Sequence, residues 1–264
     1  MNFIYNKTSI GYSHLNKNIV CQDYSDYFIN HNYKIITACD GHGGKLYIRS
    51  DRGAKYASDA VINVFINHSK NEIKSIIEKD GLNKLKLEIL CKWNELIEQD
   101  FSKENFNEEE LANLDEEEIF KLTNNFVIAY GSTLNAVVLM DEFVICIQIG
   151  DGGIFLLKEN DITNAIPEND GNVANITNSL CGDKAYRNLY ISVFNKDDYD
   201  GAIICTDGLL SPYQTYNNFK NSFVTPIVDK VISRDIINEI DDFINELGTN
   251  IGNGDDVSLG MLFW

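Results

Sequence analysis

Tyr33-Lys34-Ile35-Ile36-Thr37-Ala38-Cys39-Asp40-Gly41-His42-Gly43-Gly44 is the stretch that decides the fold. Apolar and β-branched residues fill it up to Cys39, as a buried strand requires. The run then stops on a carboxylate and a glycine. The same order of events recurs twice. Phe143 to Ile149 runs into Gly150-Asp151-Gly152, and Ala202 to Thr206 runs into Asp207-Gly208. A further acidic pair, Asp255-Asp256, opens the apolar run from Val257 to Trp264. Four buried strands, each with a carboxylate at one end, can converge those carboxylates on one point. Such a cluster is costly unless a cation sits among its members. Oxygen-only donor sets suit hard divalent ions such as Mg2+ and Mn2+. A single Asp-Gly is ordinary turn chemistry. Repetition at the ends of apolar runs argues against that here. So does Gly41-His42-Gly43-Gly44, which leads into a helical pattern and not into a partner strand.

Working outward, Phe3 to Ser13 reads as a first strand, followed by a polar stretch from His14 to Gln22. Asp23 to Ile29 and Tyr33 to Asp40 read as a strand pair around Asn30-His31-Asn32. Lys45 to His68 carries Leu46, Ala54, Ala57, Ala60, Val61, Val64 and Phe65 at helical spacing. Leu82 to Phe101 is a second helix with Leu85, Ile89, Trp93, Leu96 and Ile97 on one face. The acidic stretch Glu104 to Glu118 reads as a solvated loop or frayed helix. Thr133 to Met140 and Phe143 to Ile149 form a hairpin around Asp141-Glu142. Ile154 to Lys158, Leu189 to Phe194, Ala202 to Thr206 and Val257 to Phe263 are further strands. Asp161 to Arg187 is irregular, with a turn at Asn169-Asp170-Gly171. Phe219 to Leu247 is helical, with a break near Ser233-Arg234-Asp235. Strands, two helices, many strands, two helices and one strand predict an α+β fold. Its centre is packed antiparallel sheets, and helices cover their outer faces.

The chain has 264 residues, of which 44% are hydrophobic and only 3 are proline, with no linker-like tract. One domain spanning 1–264 is expected. The formal net charge of -18 argues against a nucleic-acid partner and against docking on anionic membrane. For a phosphorylated substrate the same acidity would be repulsive, unless bound divalent metal inverts the local field. No signal-like apolar segment follows Met1, and no run reaches the ~20 apolar residues of a membrane span. Cys39, Cys146 and Cys205 fall inside core strands. No cysteine spacing suggests zinc, so reduced thiols in a cytoplasm are expected.

In chain order the chemistry-bearing marks are Gly11-Tyr12-Ser13-His14, Gln22-Asp23, Asp40-Gly41-His42-Gly43-Gly44, Gly131-Ser132-Thr133, Gly150-Asp151-Gly152, Thr206-Asp207-Gly208 and Gly254-Asp255-Asp256-Val257-Ser258. This ordered set resembles the metal-dependent protein phosphatases of type 2C, from about Gly11 to the end. The resemblance implies a central antiparallel β-sandwich flanked by helices on both faces, with two metal ions at one end. It implies that Asp40 bridges the two ions, that Asp207 and Asp255 complete the first ion's protein ligands, and that the Gly41 carbonyl serves the second. Asp151 matches the carboxylate that, with Asp207, can hold a third and looser ion. Asp23 and Asp256 are expected just behind the ligands, Asp256 orienting Asp255. The residue chemistry stands beside this: two ions ~3.5–4 Å apart share and acidify a water and neutralise phosphoryl oxygens. No covalent intermediate is then needed. His42 is the candidate general acid for the departing alkoxide, since imidazole titrates nearest neutrality.

Two positions depart from the pattern. Gln22 stands where the family usually has Glu, which predicts weaker affinity for the second Mn2+ or Mg2+. Some bacterial branches of the family use Gln-Asp. Asn18 stands where many members carry a phosphate-binding Arg, leaving the loop residues His14 and Lys17 as substitute phosphate anchors. Cys181 to Arg187 fits the bare spacing of cysteine phosphatases, but bulky Lys184-Ala185-Tyr186 occupies the place of a compact phosphate loop. Gly150-Asp151-Gly152-Gly153 opens no helix and suggests no nucleotide site. The leading expectation is a Mn2+- or Mg2+-dependent phosphatase of phosphoserine and phosphothreonine in proteins, monomeric and opposed by a Ser/Thr kinase. A catalytically weak pseudophosphatase serving as a binding module is the alternative, motivated by Gln22 and Asn18. The four retained aspartates weigh against it. A metal-dependent nuclease is disfavoured by the charge and the lack of a basic track.

Overall fold

Antiparallel pairing builds two five-stranded sheets. The computed structural model describes residues 3–159, 161–166, 177–213, 215–231, 236–250 and 252–264. The strands are β1 (Phe3–Ser9), β2 (Tyr24–Ile29), β3 (Lys34–Cys39), β4 (Leu134–Leu139), β5 (Phe143–Ile149), β6 (Gly153–Lys158), β7 (Asp161–Asn164), β8 (Tyr190–Asn195), β9 (Gly201–Cys205) and β10 (Val257–Phe263). One sheet has the order β1-β10-β9-β6-β7 and the other β2-β3-β4-β5-β8. The helices are α1 (Tyr12–Lys17), α2 (Ser50–Ile66), α3 (Lys70–Glu78), α4 (Leu82–Lys103), α5 (Glu108–Leu111), α6 (Glu116–Asn124), α7 (Ala185–Asn188), α8 (Asp207–Leu210), α9 (Tyr216–Phe219), α10 (Thr225–Val231) and α11 (Ile236–Leu247).

The apolar runs are continuous because these strands are buried on both faces. Alternate side chains divide between two cores, as the two-residue period of a strand demands. On β3, Ile36 and Ala38 join Val137, Leu139, Val144, Cys146, Ala202 and Ile204 in the layer between the sheets. Ile35 and Cys39 face the other way, onto Ala54, Ala57, Val61 and Trp93 of α2 and α4. The second sheet splits alike: Ile203, Cys205, Leu259 and Met261 face outward onto Phe219, Phe223, Ile240 and Ile244. Each fully buried Ile, Leu, Val or Phe contributes about 1.5–3 kcal/mol. Small residues let α2 lie close: a Cβ on Gly53 would collide with the Tyr130 carbonyl, and Trp93 Nε1 donates to Gly53 O at 3.1 Å. The fold is therefore the expected α+β sandwich with helices on both faces.

Several boundaries differ from the sequence expectation. The first strand stops at Ser9, and the polar stretch after it begins as α1. The long helix starts at Ser50 and not Lys45, and a separate helix, α3, follows it behind a Ser69–Glu72 capping box. The acidic segment is two short helices, each opened by a capping box: Asn107 with Glu110 and Asp115 with Glu118. Arg49 holds this segment down. It is 1% exposed, donates Nε and Nη2 to the two Glu110 carboxylate oxygens at 2.6 and 2.9 Å, and reaches the Glu104 and Asn105 carbonyls. The irregular region contains β7 and α7. The expected turn at Asn169-Asp170-Gly171 and the break at Ser233-Arg234-Asp235 lie outside the described residues.

Candidate metal centre

The strand ends do converge. Asp40 follows β3 in one sheet; Asp207 follows β9 and Asp151 precedes β6 in the other. One carboxylate oxygen from each of Asp40, Asp151 and Asp207 lies within 4.8 Å of the others. Among the described residues no other group of three His, Cys, Asp or Glu side chains gathers in this way. Asp255 stands outside this trio, exposed, with its Oδ1 accepting the Asp256 N–H at 3.0 Å.

The electrostatics are those of crowded like charges. Burial, followed by Asp23, Asp207, Asp151 and Asp255, holds the Asp40 carboxyl well above the usual range. Burial, then Asp151 and Asp255, pushes Asp207 up to about 6. Asp23, 6% exposed, is also raised, chiefly by burial, although the Thr206 hydroxyl donates to it at 2.8 Å. Each of these groups gains from a nearby cation. A purely carboxylate and carbonyl oxygen set fits a hard divalent ion.

Backbone contacts fix the loop around Asp40. Its N–H donates to Thr133 Oγ1 at 2.9 Å, and Thr133 N–H donates back to Asp40 O at 2.8 Å. Gly41 is squeezed: a Cβ there would lie 2.5 Å from Ser50 O and 2.6 Å from Gln22 O. His42 N–H donates to Gly131 O, and its ring packs edge-on against Tyr47 at 4.9 Å. Burial lowers the His42 pKa, with Asp151 opposing the shift.

Gln22 is oriented by its surroundings. Its Nε2 donates to His42 O at 3.2 Å and to Ser50 Oγ at 2.7 Å. A carbonyl oxygen only accepts, so the amide nitrogen must face His42. Oε1 is thereby turned toward Gly43. Asp256, 4% exposed, spends its own carboxylate on α1 and Gln22. Oδ1 accepts from Gly11 N–H at 2.6 Å, and Oδ2 accepts from Gln22 N–H at 2.6 Å and faces His14 Nδ1 at 2.9 Å. Its reach to Asp255 is through its backbone amide, not its side chain.

His14 and Lys17 lie on α1 and not in a loop. His14 is tied to Asp256, and Lys17 is exposed in the last helical turn. Asn18 caps α1 in the left-handed conformation, φ 53°, with its N–H on the His14 and Leu15 carbonyls. That is a conformation Asn tolerates better than Arg. Sequence reading did not single out Thr177, whose hydroxyl donates to Asp151 Oδ2 at 2.6 Å, nor Ser50. Cys181 is half-buried, and burial raises its thiol, the reverse of an activated thiolate.

The protein phosphatase 2C family matches residues 10–243, most of the chain. The chain belongs to the protein phosphatase 2C family. It is by family a phosphoprotein phosphatase, and family members use divalent metal ions. A search of curated protein sequences finds no match. Solved structures share the fold over the whole length. A bacterial serine phosphatase is 16% identical with a TM-score of 0.63, covering 100% of this chain and 98% of that one. Serine/threonine phosphatase Stp1 from Staphylococcus aureus is 14% identical with a TM-score of 0.62, covering 100% and 95%. The catalytic domain of serine threonine protein phosphatase PstP, solved with 2 manganese ions, is 16% identical with a TM-score of 0.56, covering 99% and 97%.

Proposed function

We propose that this phosphatase 2C chain hydrolyses phosphoserine and phosphothreonine in proteins, as one domain over residues 1–264. The observation that carries the reading is the Asp40, Asp151 and Asp207 trio, assembled across two sheets with an oxygen-only donor set, in which the Asp40 and Asp207 carboxyls are held above their usual range. Asp40, Asp207, Asp255 and the Gly41 carbonyl would hold two ions of Mn2+ or Mg2+. Gln22 Oε1 would take the place of the family's Glu, and Asp151 with Asp207 would hold a third ion. Bound there, such ions supply an acidified water and neutralise charge on the phosphoryl oxygens.

The chain's own side chains do the rest. His42 stands at the rim of the cluster and gives its proton to the departing seryl or threonyl oxygen. Tyr47 and the Gly131 carbonyl hold the His42 ring and backbone in place. Asp23 and Asp256 position the two loops that carry the ligands. His14, through its remaining ring nitrogen, and Lys17 would anchor the phosphate. No helix among the described residues is long and apolar enough to cross a membrane, which fits a cytoplasmic setting. A monomer opposed by a Ser/Thr kinase completes the proposal.

The retained carboxylates favour this over a metal-poor pseudophosphatase. Mn2+-dependent hydrolysis of a phosphothreonine peptide tests it, with EDTA and Asp40→Asn as controls. Activity that needs metal and vanishes in Asp40→Asn is expected. A folded protein silent at saturating Mn2+ would move the assignment to a binding module.

A further inference from the structure

Inside the sandwich, at the carboxylate end, two buried amides lie beside the apolar layer formed by Val137, Leu139, Val144 and Cys146. Asn135 on β4 and Gln148 on β5 are cross-strand partners. They share the inward face with Val137, Leu139, Val144 and Cys146. Asn135 is fully buried and Gln148 is 8% exposed. Burying two primary amides in an apolar layer is costly unless their hydrogen bonds are made. Here they are made to each other and to carbonyls on the side of the opposite sheet. Gln148 Nε2 donates to Asn135 Oδ1 at 2.8 Å and to Gly152 O at 2.6 Å, while Asn135 Nδ2 reaches Cys205 O at 3.4 Å.

The two carbonyls have one thing in common. Gly152 directly follows Asp151, and Cys205 lies two residues before Asp207. Asp40 comes from the sheet that bears the amides, since β3 pairs with β4. The trio therefore spans the gap between sheets, and the amide pair is a polar tie across that gap beside it. Backbone geometry is shaped to admit the tie. A Cβ on Gly152 would run into the Asn135 amide, and Gly150 holds φ +114°, a conformation that other residues rarely take.

We propose that Gln148 and Asn135 are positioning residues that set the separation of Asp151 and Asp207 from Asp40, and with it the affinity of the centre for divalent cations. This rests on the phosphatase reading only in taking cations as the occupants of the trio. Neither amide touches the reacting atoms. They act on the ligands through the Gly152 and Cys205 carbonyls, as supports behind metal ligands do elsewhere.

The test is Mn2+ binding to the metal-stripped full chain, by calorimetry and by the electron paramagnetic resonance of bound Mn2+. Gln148→Met keeps the volume and loses both donors; Gln148→Asn keeps an amide but shortens its reach. Val144→Ala, on the same inward face of β5, controls for general loosening of the layer. Both Gln148 variants are expected to bind Mn2+ roughly 10- to 100-fold more weakly. Their kcat on a phosphothreonine peptide should return toward wild type as Mn2+ is raised. Val144→Ala should lose thermal stability while keeping wild-type affinity. Should Gln148→Met fail to fold, Gln148→Asn carries the test. Wild-type Mn2+ affinity in a folded Gln148 variant overturns the proposal, as does an equal loss of affinity in Val144→Ala. A wild-type protein that binds Mn2+ but leaves the phosphopeptide intact would instead remove the phosphatase reading, and the binding comparison would still decide the tie.

Discussion

Asp207→Asn should make the metal-free protein more stable at neutral pH while abolishing its response to Mn2+. The Asp207 carboxyl is raised from 3.8 to about 6 by burial and by the facing Asp151 and Asp255. A group with a raised folded pKa adds stability that is complete below its unfolded value and is lost as pH rises through the folded one. For Asp207 the window runs from about pH 4 to about pH 6. Above it, the ionised carboxylate costs the folded state about 3 kcal/mol, because a tenfold change in proton affinity corresponds to ~1.4 kcal/mol. Asparagine keeps the shape without the charge. At pH 7.5 in EDTA, Asp207→Asn should therefore melt roughly 6–12 °C above wild type, at ~2–4 °C per kcal/mol for a chain of this size. At pH 4 the two should melt together. At about 1,000 times the Kd for Mn2+ the order should reverse, because such a ligand stabilises wild type by about 4.1 kcal/mol, more than the charge cost of ~3 kcal/mol, and the variant lacks the Asp207 carboxylate. Differential scanning calorimetry at both pH values reads all of this. An Asp207→Asn protein that melts at or below wild type at pH 7.5 in EDTA would refute the account of crowded carboxylates held in reserve for a cation.

Gln22→Glu should tighten Mn2+ binding and lower the melting temperature of the metal-free protein, since a carboxylate would face the His42 carbonyl that now accepts from the amide. Equal Mn2+ affinities by calorimetry would count against Gln22 as a neutral ligand. Arg49→Met should cost about 3–5 kcal/mol of unfolding free energy by stranding Glu110 and two carbonyls. In denaturant melts, Glu110→Gln should add little in that background, and additive losses would break the pairing argument. His42→Ala should slow a phosphothreonine peptide by roughly 10²–10⁴-fold and an aryl phosphate much less, because a good leaving group needs no acid. Equal losses on both substrates would remove the acid role.

What was legible in the sequence was whatever is written in local order. Period-two burial on both faces made β3, β5 and β9 readable as apolar runs, and the Asp-Gly that ends or follows each run marked the converging ends. What was not legible depends on partners far along the chain. The start of α1 has no side-chain cap. Its first amides are satisfied by Gly248 O and Gly254 O, more than two hundred residues away. No local signal near Tyr12 announces that. The capping boxes at Asn107 and Asp115 were local, but the run of acids hid them, and the docking that holds the first of them down comes from Arg49. The two departures from the family pattern, which by themselves suggest decay, look different once their surroundings are known. At position 18 the backbone is left-handed, so Asn suits it where Arg would be strained. At position 22 the neighbour is a carbonyl oxygen, which an amide nitrogen satisfies and a carboxylate would repel. A decaying site loses groups without regard to their neighbours. Here both departures are matched to theirs, which supports the proposal of an active centre in which Gln22 serves as a neutral ligand.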